Sequence, residues 1–169
     1  MVKIYVIDTN VLIQNPQALL SFEDNQVILP VVVLEELDNL KKAEGEKGRN
    51  ARAATRILEE LRLKGNLLEG VKLESQGIVR VEKNYIDVKL PEDLPEDKMD
   101  NRILKVCRGL ADTSGEQVVL VTKDILLRIK AQIIGIRAED YTTEQVVEYE
   151  GQYKGRIEVY VPEEKFKDF

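Results

Sequence analysis

The chain has 169 residues, 43% of them apolar and 33% charged, with a net charge of −6, a single cysteine and no histidine. That is enough apolar material for one packed domain with some length to spare, and too much for a disordered chain. The lone Cys107 excludes a disulfide framework or a cysteine zinc site, and the lack of histidine excludes Ser-His-Asp triads, Cys-His pairs and imidazole bases.

Residues 3–7 (KIYVI) form a β-branched run that reads as a buried strand. Residues 16–22 read as helical, opened by Pro16. VIL (27–29) is a second strand, closed by Pro30, and a helix follows over 31–43. Residues 48–64 are rich in Ala and Arg and form another. IVRVE (78–82) and YIDVKL (85–90) read as strands, and PEDLPED is a proline-broken acidic loop. Residues 97–113 are helical, with Cys107 in the apolar stripe beside Ile103, Val106 and Leu110, so it is read as a core residue. VVLVT (118–122) is the clearest strand, 125–134 is helical, and GIRAE (135–139) begins another strand or loop. A last strand is expected at 156–161, with neither a helix nor a polar tail after it, so the natural protein is expected to continue past Phe169.

Short apolar strands alternating with helices imply an α/β fold, a central parallel sheet with helices on both faces. In such sheets ligands bind at the carboxyl ends of the strands. No apolar run approaches the roughly 18–20 residues that span a bilayer. The opening MVKIYVIDTN turns acidic too soon for a signal peptide, so the expected location is cytoplasmic, with no membrane partner.

Four carboxylates stand out by position. Asp8 follows the first strand directly, where it serves either a site or the N-cap of the next helix. Glu36 flanks the helical face made by Val33, Leu37 and Leu40, whereas Glu35 points nearly opposite. Asp100 falls in the apolar arc of its helix near Leu104, Cys107 and Ala111, where a charge is seldom buried unless paired or metal-bound; its plainer role is to favour the helix dipole. Asp97 lies further out on the same side. Asp124 ends VVLVTKD and is also a natural N-cap, a role Thr122 could share. Several carboxylates in one cleft repel one another unless protons or a cation compensate. Oxygen-only ligands select Mg²⁺ or Mn²⁺, and the matching chemistry is metal-assisted phosphodiester hydrolysis.

With VIDTN at the start, then LPVVVLEELDNLK, DNRIL and LVTKD in that order, the chain resembles the PIN-domain family over roughly residues 1–140. The wording of the first two blocks is closest to the PIN domain that precedes the ATPase domain of PhoH-type proteins. The resemblance implies a three-layer PIN-like fold and a Mg²⁺- or Mn²⁺-dependent endoribonuclease acting on single-stranded RNA. Its metal-binding and catalytic carboxylates would be Asp8, Glu36, Asp100 and Asp124, supported by Thr9, Asn10 and Thr122. It implies in-line attack by metal-activated water, leaving a 5′-phosphate. Residues 141–169 then form a C-terminal extension or the start of a linker to a domain absent from this chain. No G-x-x-x-x-G-K-[ST] run is present, so an ATPase domain would lie elsewhere. Residues 65–96 stand as a family-specific insertion. Relatives of this kind often dimerise, so homo-oligomerisation is an expectation carried by the resemblance alone.

The acidic net charge opposes non-specific nucleic-acid binding. Between Lys41 and Lys64, however, the balance reverses, and Lys41, Lys42, Arg49 and Arg52 are candidate RNA-backbone contacts; the plainer reading is a solvated helix of mixed charge. A second functional reading is a non-catalytic PIN module that binds RNA or protein for an attached ATPase domain. A third, phosphoryl transfer through a strand-end aspartate, calls for a carboxylate two residues after Asp8, where Asn10 stands.

Overall fold

The computed structural model describes residues 3–83, 85 and 87–141. Strand β1 (Ile4–Ile7) leads into a short helix α1 (Thr9–Gln14) and a 3-10 segment (Pro16–Leu20). Strand β2 (Gln26–Pro30) is followed by α2 (Val31–Leu40) and the 20-residue α3 (Gly45–Lys64). Then come β3 (Val71–Lys72), β4 (Ile78–Glu82), α4 (Met99–Ser114), β5 (Val118–Val121), α5 (Ile125–Ile133) and β6 (Arg137–Glu139).

The strands form one sheet in the order β3-β4-β2-β1-β5-β6. Every neighbouring pair is parallel except β3 with β4. All four residues of β1 and all four of β5 are buried, as central strands covered on both faces must be. From β1 the chain first adds β2 and β4 on one side, then returns to place β5 and β6 on the other. Parallel crossovers are right-handed, so helices formed before and after this reversal fall on opposite faces. The result is an α/β fold of three layers. The reversal lies between β1 and β5, whose carboxyl ends run side by side through Val6 opposite Leu120 and Ile7 opposite Val121. Such a switch point opens a crevice in the sheet edge. Ile7, Leu12, Ile28, Leu104, Leu120 and Leu127 are all fully buried in the core, and Leu127 also lines the crevice. Each such side chain contributes on the order of 1.5–3 kcal/mol of apolar burial.

Three expectations change. The strand expected at 85–90 is not found among the described residues: Asp87 lies in a turn, and Tyr85 and residues 88–90 have no regular secondary structure. Both edges of β4 are already paired, to β2 and to the β3 that periodicity missed. The Tyr85 ring instead rests on Gly109 of α4, where an added Cβ would stand 2.3 Å from it. Second, residues 16–22, expected to be helical, carry a 3-10 segment over Pro16–Leu20, and the α-helix lies just before it at Thr9–Gln14, capped by Asp8. Third, α2 stops at Leu40 and α3 begins at Gly45, rather than at 43 and 48. Arg52 donates to the carbonyls of Lys41 (2.7 Å) and Ala43 (3.3 Å), which stabilises the sharp corner between the helices. Gly48 is needed there, since a Cβ would come within 1.8 Å of the Ala43 carbonyl oxygen. The strand expected at 156–161 lies outside the described residues. Among the described residues no helix is long and apolar enough to cross a membrane.

Candidate metal centre

The crevice at the switch point is an open cleft of about 380 Å³ whose walls include Asp8, Glu36, Asp100 and Asp124, together with Asn10 and Lys98. The four carboxylates reach it from four elements: the end of β1, the middle of α2, the first turn of α4, and the cap of α5. They are far apart in sequence and meet because parallel strands deliver their carboxyl ends to one edge.

Asp8 is the most enclosed, at 6% exposure. Its Oδ1 accepts the Thr9 backbone N–H at 2.7 Å, and its Oδ2 accepts the Thr122 hydroxyl at 2.7 Å. Thr122, fully buried, accepts in turn from the Asp124 backbone N–H at 3.1 Å. One hydroxyl thus fixes the carboxylate of β1 relative to the backbone after β5. Burial raises the proton affinity of Asp8 above its ordinary value of 3.8; the hydrogen bonds from Thr122 and Thr9 oppose this, and the negative charges of Glu36 and Asp124 add to it. A cation among these three groups would relieve that repulsion.

Glu36 is half-buried and Glu35 exposed, as the helical arc of α2 requires. Asp124 does double duty: its Oδ1 caps α5 by accepting from the N–H groups of Leu126 (2.9 Å) and Leu127 (3.4 Å). Asp100 forms an ion pair with Lys130 of α5 at 3.0 Å. Asp97 is exposed, and so is Asn10 at the mouth of the cleft. Thr9 is buried, and its hydroxyl oxygen has no hydrogen-bond partner among the described residues.

The donor chemistry fits a hard divalent cation, since carboxylates supply the oxygens and a buried carboxylate is held among like charges. Asp8, Glu36 and Asp124 are the residues that could hold it. As they stand, however, no three carboxylates among the described residues converge into a ready metal cage. The reason is local: Asp124 is turned toward its helix and Asp100 toward Lys130.

Of the basic residues singled out on sequence, Lys42 and Arg49 are exposed, Lys41 pairs with Asp38 at 2.9 Å, and Arg52 is committed to the α2–α3 corner. Sequence reasoning passed over Lys130, Lys98 and Asn101. Asn101 is fully buried inside the DNRIL run, and a polar residue at that point of an apolar stripe was the available signal. Cys107 is fully buried, with its thiol pushed well above its ordinary value by desolvation, and stands as a core residue.

A PIN domain family model matches residues 5–142. Protein PhoH2 of Bacillus subtilis is 43% identical over 175 residues, covering 100% of this chain and 40% of that protein. Protein PhoH2 of Mycolicibacterium smegmatis is 40% identical over 149 residues, covering 86% of this chain and 34% of that protein. The chain therefore spans less than half the length of the curated relatives it matches. A solved domain of a functionally unknown protein from Methanocaldococcus jannaschii shares the fold with a TM-score of 0.51 at 21% identity, over 83% of this chain and 92% of that one. With the family model matching most of its length, this chain belongs to the PIN domain family.

Proposed function

We propose that this chain is a Mg²⁺- or Mn²⁺-dependent endoribonuclease that hydrolyses phosphodiester bonds of single-stranded RNA. PIN domains are in general nucleases, and the observation that carries the reading here is the placement of Asp8, Glu36, Asp100 and Asp124 around one cleft at the switch point. Asp8, Glu36 and Asp124 would hold the ion, and Asp100 would complete the acidic wall. Bound there, a divalent ion would supply Lewis acidity, polarising the phosphodiester and making water a stronger acid. Thr122 positions Asp8 and the backbone of Asp124 together. Asn10 and Lys98, at the exposed lip, are suited to hydrogen-bond and charge contacts with a phosphate. Lys42 and Arg49 are the exposed cations that could track the RNA backbone.

We take residues 1–140 as the nuclease domain and 141–169 as an extension or linker, and the greater length of the relatives supports an ATPase domain as the partner of this one. Tyr141 still packs on the domain, against Phe22 and within 3.2 Å of Asn15.

The test is cleavage of an unstructured RNA oligonucleotide in Mn²⁺, in Mg²⁺ and in EDTA. Metal-dependent cleavage by the wild type that is lost in Asp8→Asn and Asp124→Asn supports the reading. Equal cleavage by wild type and both variants would overturn it. That no three carboxylates among the described residues form a preformed cage favours one other reading, a PIN module that binds RNA or protein without cutting. Calorimetry with no Mn²⁺ binding at millimolar concentration would decide for that one.

A further inference from the structure

We propose that Lys130 is a resident cation of the cleft: its ammonium takes the place on Asp100 that a second divalent ion would otherwise occupy, so that the site binds one ion rather than two. The inference rests on the metal site proposed above and specifies its stoichiometry.

The ammonium lies 3.0 Å from Asp100 Oδ2 and 3.3 Å from Asn101 Oδ1. Asn101 is what distinguishes this contact from an incidental surface pair. It is fully buried, and its amide Nδ2 donates to the Pro95 carbonyl at 2.7 Å. That bond orients the amide and leaves Oδ1 as a fixed acceptor aimed at Lys130. The lysine stem is also held in place. It follows Leu127 by one helical turn and precedes Ala131 by one residue, and both are buried. Its side chain is 26% exposed and that of Asp100 34%, so the pair is partly shielded from water. Helix α5 therefore brings one carboxylate at its cap, Asp124, and one ammonium two turns later to the acidic wall.

Charge balance points the same way. The cleft has four carboxylates and the Lys98 ammonium at its walls, and Lys130, just outside the wall, pairs with one of those carboxylates, Asp100. Two negative charges remain, and one divalent ion cancels them. A second divalent ion would have to displace an ammonium from two oriented oxygens. It would also have to approach at short range a cation of its own sign.

The experiment is Mn²⁺ titration of the full chain, followed by calorimetry and by loss of the free-ion electron paramagnetic resonance signal. Wild type, Lys130→Met, Lys130→Arg and the double variant Lys130→Met/Asp100→Asn are compared, with circular dichroism to establish folding. Methionine keeps the apolar stem, and arginine keeps the charge. Wild type and Lys130→Arg are expected to bind one ion. Lys130→Met is expected to bind a second ion, or to bind the first about tenfold more tightly, as loss of a unit charge some 6 Å away from a divalent ion in water implies. The double variant should return to one ion. Two ions bound by wild type would overturn the inference, and so would a Lys130→Met titration that matches wild type at one ion. If folded wild type and Lys130→Met both bind no Mn²⁺, the metal site itself is refuted and this inference with it, an outcome distinct from the other two.

Discussion

Asp8→Asn should make the metal-free protein more stable, not less. In the folded chain this carboxylate is 6% exposed and faces the charges of Glu36 and Asp124. The amide keeps the shape, and its oxygen can still accept the Thr9 N–H. Its NH₂ can donate to the Thr122 hydroxyl, which then accepts where it had donated. The idle hydroxyl proton costs about 1 kcal/mol. Relief of carboxylate desolvation and like-charge repulsion outweighs this, as is common where a functional charge is neutralised. A net gain of about 1 kcal/mol is expected, which corresponds to a Tm about 3 °C higher at this size.

The pH dependence has a definite sign. Because the folded proton affinity of Asp8 is raised, its protonated form contributes stability that is fully present below 3.8 and lost as pH rises through the higher folded value. The advantage of the variant is therefore largest at neutral pH and closes as pH falls toward 3.8. Thermal denaturation followed by circular dichroism, in EDTA at pH 7.5 and pH 5, reads this directly. Added Mn²⁺ should reverse the order. At one hundred times Kd it stabilises the wild type by about 2.7 kcal/mol and leaves the variant unmoved. A metal-free variant that melts below wild type at pH 7.5 would refute the account of Asp8 as a strained carboxylate. Equal stabilisation of both proteins by Mn²⁺ would refute its role as a ligand.

Asp124 separates capping from ligation: Asp124→Asn should keep the α5 cap and melt within about 0.5 kcal/mol of wild type while losing Mn²⁺ binding, whereas Asp124→Ala should lose both, with about 1 kcal/mol less stability by urea titration. Gly109→Ala places a methyl group into the Tyr85 ring and should release that loop from α4, seen as faster amide exchange at residues 87–90 for a cost of about 1–3 kcal/mol. Protection unchanged from wild type would show that Tyr85 does not anchor the loop. Cys107 should resist thiol reagents in the native protein and react in full on unfolding; labelling at native rates comparable to a free thiol would contradict its burial.

Much of this architecture is legible locally. Buried parallel strands such as VVLV and IYVI have no solvent face, so they appear as unbroken apolar runs, and the helices between them follow from a 3.6-residue period. The choice of Glu36 over Glu35 follows from the same period, since only one of two adjacent residues can flank the buried arc of α2. The bounds of the short α1 were not legible, because the helix depends on its Asp8 cap more than on its own composition. Nor was the fate of Tyr85 and residues 87–90, in a segment whose alternating pattern suits a strand. Whether such a segment joins a sheet depends on a free edge beside it, and β2 and β3 had taken both edges of β4.

The sequence by itself determined most element types and the candidate oxygen donors, because periodicity and side-chain chemistry are local properties. Tertiary structure alone decided what each donor faces. Only the packing of α5 on α4 brings Lys130 to Asp100 across 30 residues, and only the pairing of β1 with β5 brings Thr122 to Asp8 across 114. Coulomb and hydrogen-bond energies depend on distance in space, and no local pattern carries that distance.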